Sequence, residues 1–152
     1  MSKIIVVDPF DYVVVGGTGD LAKRKLFPAL YHRELDGQLP DEARIIGVAR
    51  SERTRDAFKA QVEAALREFV PAADIDEAVF AKFLNRFSYQ PNNAFTVEGY
   101  QKLKDTLDEH PDRVCGIYLA TPPSLFGPIS AFLAEVGLNG PRDRLVLEKP
   151  LG

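Results

Sequence analysis

Short apolar runs alternate with longer segments of helical periodicity along this chain. Phe10-Asp-Tyr-Val-Val-Val15 is rich in β-branched and aromatic residues and stops at Gly16, which predicts a buried strand. From Asp20 the apolar positions Leu21, Leu26, Ala29, Leu30 and Leu35 recur at helical spacing, with Pro28 placed to kink the helix. Arg44 to Ala49 predicts a second strand. Arg53 to Val70 predicts an amphipathic helix with Ala57, Phe58, Val62, Ala65, Leu66 and Phe69 on one side and a cap at Ser51 or Thr54. Farther on, Ile75 to Leu84 reads as a helical piece, Phe87 to Tyr89 as a short third strand, and Thr96 to Glu109 as a helix. Val114 to Ala120 reads as a fourth strand, Ser124 to Val136 as a helix, and Arg144 to Leu147 as a fifth strand.

Strand–helix alternation with short connections demands right-handed crossovers, hence a parallel sheet covered on both faces. The expected fold is α/β, a Rossmann-like doubly wound sheet with strand order 3-2-1-4-5. Its ligand crevice would lie where the order reverses, between strands one and four.

The first strand-to-helix turn fits that crevice. Gly17-x-Gly19-x-x-Ala22 matches the dinucleotide fingerprint: one glycine for the tight turn, one for close approach of backbone N–H groups to phosphate, and a small residue for helix–strand packing. A bound pyrophosphate would meet the positive end of the helix dipole. Strand and helix flank the motif on the correct sides, which separates it from a plain structural turn.

Composition narrows the class further. The chain has 152 residues, 45% hydrophobic and 27% charged, which suits one packed domain spanning residues 1–152 and argues against disorder. A net charge of −3 gives no support for a nucleic-acid partner. Cys115 is the single cysteine, so no internal disulfide can form, and a reducing, cytoplasmic setting is expected. No stretch is long enough to span a membrane.

The residues after the second strand bear on which dinucleotide binds. An acidic residue there would hold a free ribose 2′-hydroxyl and repel a phosphate. The chain offers Val48-Ala49-Arg50-Ser51-Glu52-Arg53. Arg50 is placed to pair with a 2′-phosphate and stack on adenine, with Ser51 and Thr18 as hydroxyl donors, which favours NADP. The competing reading makes Glu52 the ribose ligand and the cofactor NAD.

Glu148-Lys149-Pro150 follows the fifth strand, where it is either a surface turn or a group facing the nicotinamide and substrate. Together with Gly16-Gly-Thr-Gly-Asp-Leu-Ala-Lys-Arg-Lys-Leu-Phe-Pro-Ala-Leu30, Ile46-Gly-Val-Ala-Arg50 and Ala120-Thr-Pro-Pro-Ser-Leu-Phe126, this ending resembles the N-terminal coenzyme domain of the glucose-6-phosphate dehydrogenase family. The resemblance implies NADP-linked oxidation of glucose 6-phosphate at C1 to 6-phosphogluconolactone, the entry to the oxidative pentose phosphate pathway. It implies that Gly16, Gly17, Thr18, Gly19, Asp20 and Leu21 hold the pyrophosphate and that Arg50 and Ser51 serve the 2′-phosphate. Thr121 and Pro122 would line the nicotinamide end. Lys25 would face the substrate, and Lys149 would contact both substrate and coenzyme. Asp20 serves equally as a helix-start acid.

Two departures from the family stand out. Pro91-Asn92-Asn93 replaces the aspartate that many members carry near the adenine. The family's histidine base, its aspartate partner, the substrate-phosphate ligands and the α+β domain that forms the dimer all lie beyond the Glu-Lys-Pro motif. His32 and His110 are the only histidines here, and neither has a recognisable catalytic context. The expectation is therefore a coenzyme domain that binds NADP without catalysing, holds no metal, oligomerises only with the missing domain, and exposes apolar surface near its last strand. Two other readings stay open: the N-terminal domain of a glucose-fructose-oxidoreductase-type sugar dehydrogenase, which shares the Glu-Lys-Pro, and a stand-alone NADP-binding module.

Overall fold

Alternating side chains in a parallel strand must be buried on both faces, and the central strand here satisfies that demand. In a computed structural model describing residues 10–92, 96–140 and 143–147, β1 (Phe10–Val15) sends Val14 to one face and Val13 and Val15 to the other, all essentially inaccessible. β1 pairs in parallel with β2 (Arg44–Ala49) and with β4 (Val114–Leu119). β3 (Phe87–Pro91) and β5 (Asp143–Leu147) complete the sheet at its edges. The order is β3-β2-β1-β4-β5, as the alternation of elements predicts.

One face carries α1 (Phe27–Leu35), α2 (Arg55–Phe69) and α3 (Glu77–Leu84) over a core of Val14, Phe27, Phe58, Phe83 and Phe87. Its rings meet edge to face, as with Phe27 and Phe87 at 5.3 Å and Phe83 and Phe87 at 5.0 Å. The opposite face carries α4 (Val97–Leu107) and α5 (Phe126–Glu135) over Val13, Ile46, Tyr100, Leu103, Ile117 and Ile129. Thr54 caps α2 by accepting from Ala57 N at 3.1 Å, which decides between the two cap candidates.

Three features depart from the periodicity. A π-helix, Ala22–Leu26, leads into α1, with Phe27 N–H donating to Ala22 O. Pro28 stands at the start of α1; it has no N–H, and its ring would crowd the carbonyl four residues back in a regular helix. Widening the preceding turn relieves that conflict, so the expected kink takes the form of a π-turn. β3 runs to Pro91, beyond the expected Tyr89, because an edge strand tolerates a residue with no donor. The helix expected from Ser124 is split into a 3₁₀ turn, Pro123–Leu125, and α5.

Asp11 lies in the middle strand with no exposed surface. Arg44 holds it bidentately at 2.8 and 2.9 Å, and Arg113 adds a bond at 3.2 Å. This network closes the amino-terminal edge of the sheet. Among the described residues Val114, at the start of β4, is the large hydrophobic side chain that stands exposed, at 44%. The apolar surface expected near the carboxyl edge is not found among them.

Candidate functional site

At the other edge, where β1, β2 and β4 end, the chain turns sharply. Gly16 has φ +87°, a left-handed conformation that disfavours any side chain, and a Cβ built there would lie 2.6 Å from the Ala120 carbonyl oxygen. The fingerprint frame places the tight turn at Gly17; the structure places it at Gly16. Gly17 instead allows close packing, because its Cβ would stand 3.2 Å from Gly47 Cα. The N–H groups of Gly16 and Gly17 are both directed to Val48 O, at 2.7 and 3.3 Å. Helical bonding begins with Lys23 N–H to Gly19 O at 3.2 Å, so the N–H groups of the turn before it have no partner within the helix. Ala22 is fully buried, which is the role the fingerprint assigns to its small residue.

Replacing Gly16 by Ala is expected to remove ligand binding and to cost stability through both backbone strain and the Ala120 contact. Gly37, at φ +69° with open space around its Cβ position, carries strain alone, about 1–2 kcal/mol. Urea unfolding of Gly16→Ala beside Gly37→Ala checks this; equal losses would show that the Ala120 carbonyl moves aside freely.

The turn forms one wall of a crevice of about 230 Å³. Val15, Val48 and Leu125 give it an apolar lining, and Tyr100 adds a buried ring. Burial pushes the Tyr100 phenol up to about 12, so it stays protonated at neutral pH. Two polar groups face this crevice without hydrogen-bond partners: both amide atoms of Asn92, whose residue is 6% exposed, and the Thr121 hydroxyl. Leaving such groups unpaired is costly, so their clustering at one cavity marks a place built to receive a polar ligand. Gly99 in α4 leaves the space that the Asn92 amide fills. Asn92 N–H donates to Ala49 O at 2.8 Å, which extends the β2–β3 pairing to the crevice mouth.

Most sequence-predicted residues gather at this edge. Gly16, Arg50 and Thr121 line the crevice; Gly17, Thr18, Gly19, Asp20 and Leu21 form its turn, and Ser51 follows Arg50 on the loop. Pro122 is exposed beside Thr121. Lys25 stands apart, in a groove of about 500 Å³ along α1 with Tyr12, Arg33 and Tyr118. Lys149 lies outside the described residues, as does Asn93. The departure Pro91-Asn92 proves to be part of the crevice, and Tyr100 and Leu125 join it unforeseen. Their signal is topological: each sits just past β3, in the first turns of α4, or beside the turn after β4.

His32 belongs to the last turn of α1 and His110 follows α4, so both lie toward the amino-terminal edge of the sheet, opposite the crevice. Among the described residues no cluster of His, Cys, Asp and Glu could hold a metal ion, and no helix is long and apolar enough to cross a membrane. A concavity of about 390 Å³ near Arg44, Arg55, Lys82 and Arg86 is larger than the crevice, yet each of these cations is engaged by carbonyls or carboxylates.

The crevice and turn fit what the chain resembles. The family model for the glucose-6-phosphate dehydrogenase NAD-binding domain matches residues 13–152. Glucose-6-phosphate 1-dehydrogenase of Rhizobium meliloti is 43% identical over 99% of this chain, and that of Gluconobacter oxydans 46% identical over all of it. The crystal structure of glucose-6-phosphate 1-dehydrogenase from Mycobacterium avium superposes with a TM-score of 0.84 at 34% identity, covering 95% of this chain and 30% of that one. A glucose-6-phosphate dehydrogenase solved with glucose 6-phosphate gives 0.81 at 29% identity. The chain spans 31–32% of the length of the two bacterial relatives. By its fold, its turn and its match over residues 13–152, the chain belongs to the glucose-6-phosphate dehydrogenase family, as that family's NAD-binding domain.

Proposed function

We propose that residues 1–152 form a single NADP-binding domain of a cytoplasmic glucose-6-phosphate dehydrogenase, which oxidises glucose 6-phosphate to 6-phosphogluconolactone at the entry to the oxidative pentose phosphate pathway. The observation that carries this reading is the crevice itself, where a glycine turn, a helix start and two unpartnered polar side chains converge on apolar walls. NADP, when bound, supplies the hydride acceptor.

The chain's own residues bind and orient it. The turn from Gly16 to Leu21 presents N–H groups and a helix dipole to the pyrophosphate. Asn92 offers both a donor and an acceptor, matching the edge of an adenine better than a carboxylate would, since a carboxylate only accepts. Thr121 and Pro122 stand at the nicotinamide end. Arg50 is an exposed cation directly past β2, where it would pair with a 2′-phosphate, with Thr18 and Ser51 beside it. Lys25 and Lys149 are assigned to substrate, and Lys149 to coenzyme as well. Proton removal from the sugar is assigned to a part of the enzyme outside this chain, and dimer formation likewise.

Calorimetric titration of the 152-residue chain with NADP and with NAD tests the assignment. Parallel samples receive glucose 6-phosphate and are followed for reduced-coenzyme absorbance. Binding of NADP without absorbance change is expected. Turnover would place the base within this chain and overturn the division of labour, and absence of binding would remove the crevice as the coenzyme site.

A further inference from the structure

Arg50 is exposed in a loop, and an exposed arginine selects a ligand well only if its backbone is held. Tyr89, on the neighbouring strand β3, reaches that backbone. Its phenol oxygen lies 2.6 Å from the Ser51 carbonyl oxygen and 3.1 Å from the Ala49 carbonyl oxygen, the two carbonyls that bracket Arg50. The single phenol proton is thus donated to Ser51 with Ala49 as its second acceptor. The Ala49 carbonyl also accepts Asn92 N–H, so the adenine wall and the Arg50 loop share one anchor.

The ring is itself held. Phe58, fully buried at the centre of its core, lies 5.0 Å from it, and the Arg53 guanidinium sits 5.8 Å from its centroid while also bonding Gln61 of α2. Burial raises the phenol above its ordinary pKa, against the opposing pull of the Arg53 charge, so the proton is kept throughout the neutral range.

We infer that Tyr89 is a positioning residue for coenzyme selectivity: by holding the carbonyls on both sides of Arg50, its hydroxyl sets the preference for a phosphorylated over a free ribose 2′-position. The inference rests on the reading of Arg50 as the 2′-phosphate ligand. NAD makes no demand on Arg50, so a loosened loop penalises NADP selectively.

Tyr89→Phe keeps the ring contacts and removes the hydroxyl. NADP affinity is expected to fall roughly three- to tenfold, lowering the NADP/NAD ratio by a similar factor, the scale of ordering one long side chain on binding. In an Arg50→Ala background the same change should leave the ratio unmoved. Amide exchange at residues 50–53 of the ligand-free chain gives a second readout, with faster exchange expected in Tyr89→Phe.

The outcomes separate the two ideas. If Arg50→Ala leaves the ratio intact, the 2′-phosphate reading fails and this inference with it. If Arg50→Ala lowers the ratio and Tyr89→Phe does not, or weakens both coenzymes equally, only the role of Tyr89 is overturned. Unchanged exchange at residues 50–53 overturns it as well.

Discussion

Replacing Arg50 with Ala is expected to weaken NADP binding by roughly ten- to a hundredfold, with a much smaller loss for NAD. The magnitude follows from a charge-assisted hydrogen bond to phosphate, about 1.5–3 kcal/mol, converted at 1.4 kcal/mol per decade. Arg50 is exposed, so its contribution should shrink as ionic strength rises, and the gap between NADP and NAD should narrow in parallel. Glu52, exposed on the same loop, supplies the contrasting test. If it held a ribose 2′-hydroxyl, Glu52→Ala would weaken NAD and leave Arg50→Ala without selective effect. Calorimetry with both coenzymes at two salt concentrations distinguishes these cases, and equal losses of both coenzymes in Arg50→Ala would sink the phosphate assignment.

Much of this site was legible because its signals are local. β1 and β2 run over the residues their apolar patterns mark, Phe10–Val15 and Arg44–Ala49, since a strand buried on both faces must be apolar throughout. The glycine turn and Arg50 announce themselves by residue type and by position at a strand end. Less legible was anything set by distant partners. Gly16 rather than Gly17 takes the left-handed turn because of the Ala120 carbonyl, more than a hundred residues away in sequence. The Asn92 amide matters because Gly99 makes room for it at the crevice. The π-turn before Pro28 is a compromise between helix continuity and a missing donor, and hydrophobic spacing is blind to such a compromise.

The same distinction governs stability at the far end of α1. Arg86 and Glu34, 52 residues apart, have side chains only 3% and 2% exposed, and nothing in their sequence neighbourhoods marks them as a core pair. They meet through bonds of 2.7 and 3.1 Å, and Arg86 also donates to the carbonyls of Leu39, Pro40 and Ala43. One guanidinium thus joins α1, the loop after it and the start of β2 to the residue preceding β3. Arg86→Leu strands a buried carboxylate and three carbonyls, so a loss of about 3–5 kcal/mol is expected, a large part of a typical domain's 5–15 kcal/mol. Glu34→Leu strands the cation and should cost a comparable amount. For an isolated buried ion pair, the double replacement by leucine would restore most of the stability. Here it should restore only the share due to the stranded charges, because the loop carbonyls still lack their donor. Urea unfolding at unchanged m-value measures all four proteins. A double variant as stable as the original chain would show that the loop bonds to Arg86 contribute nothing, and would reduce the cluster to a simple ion pair.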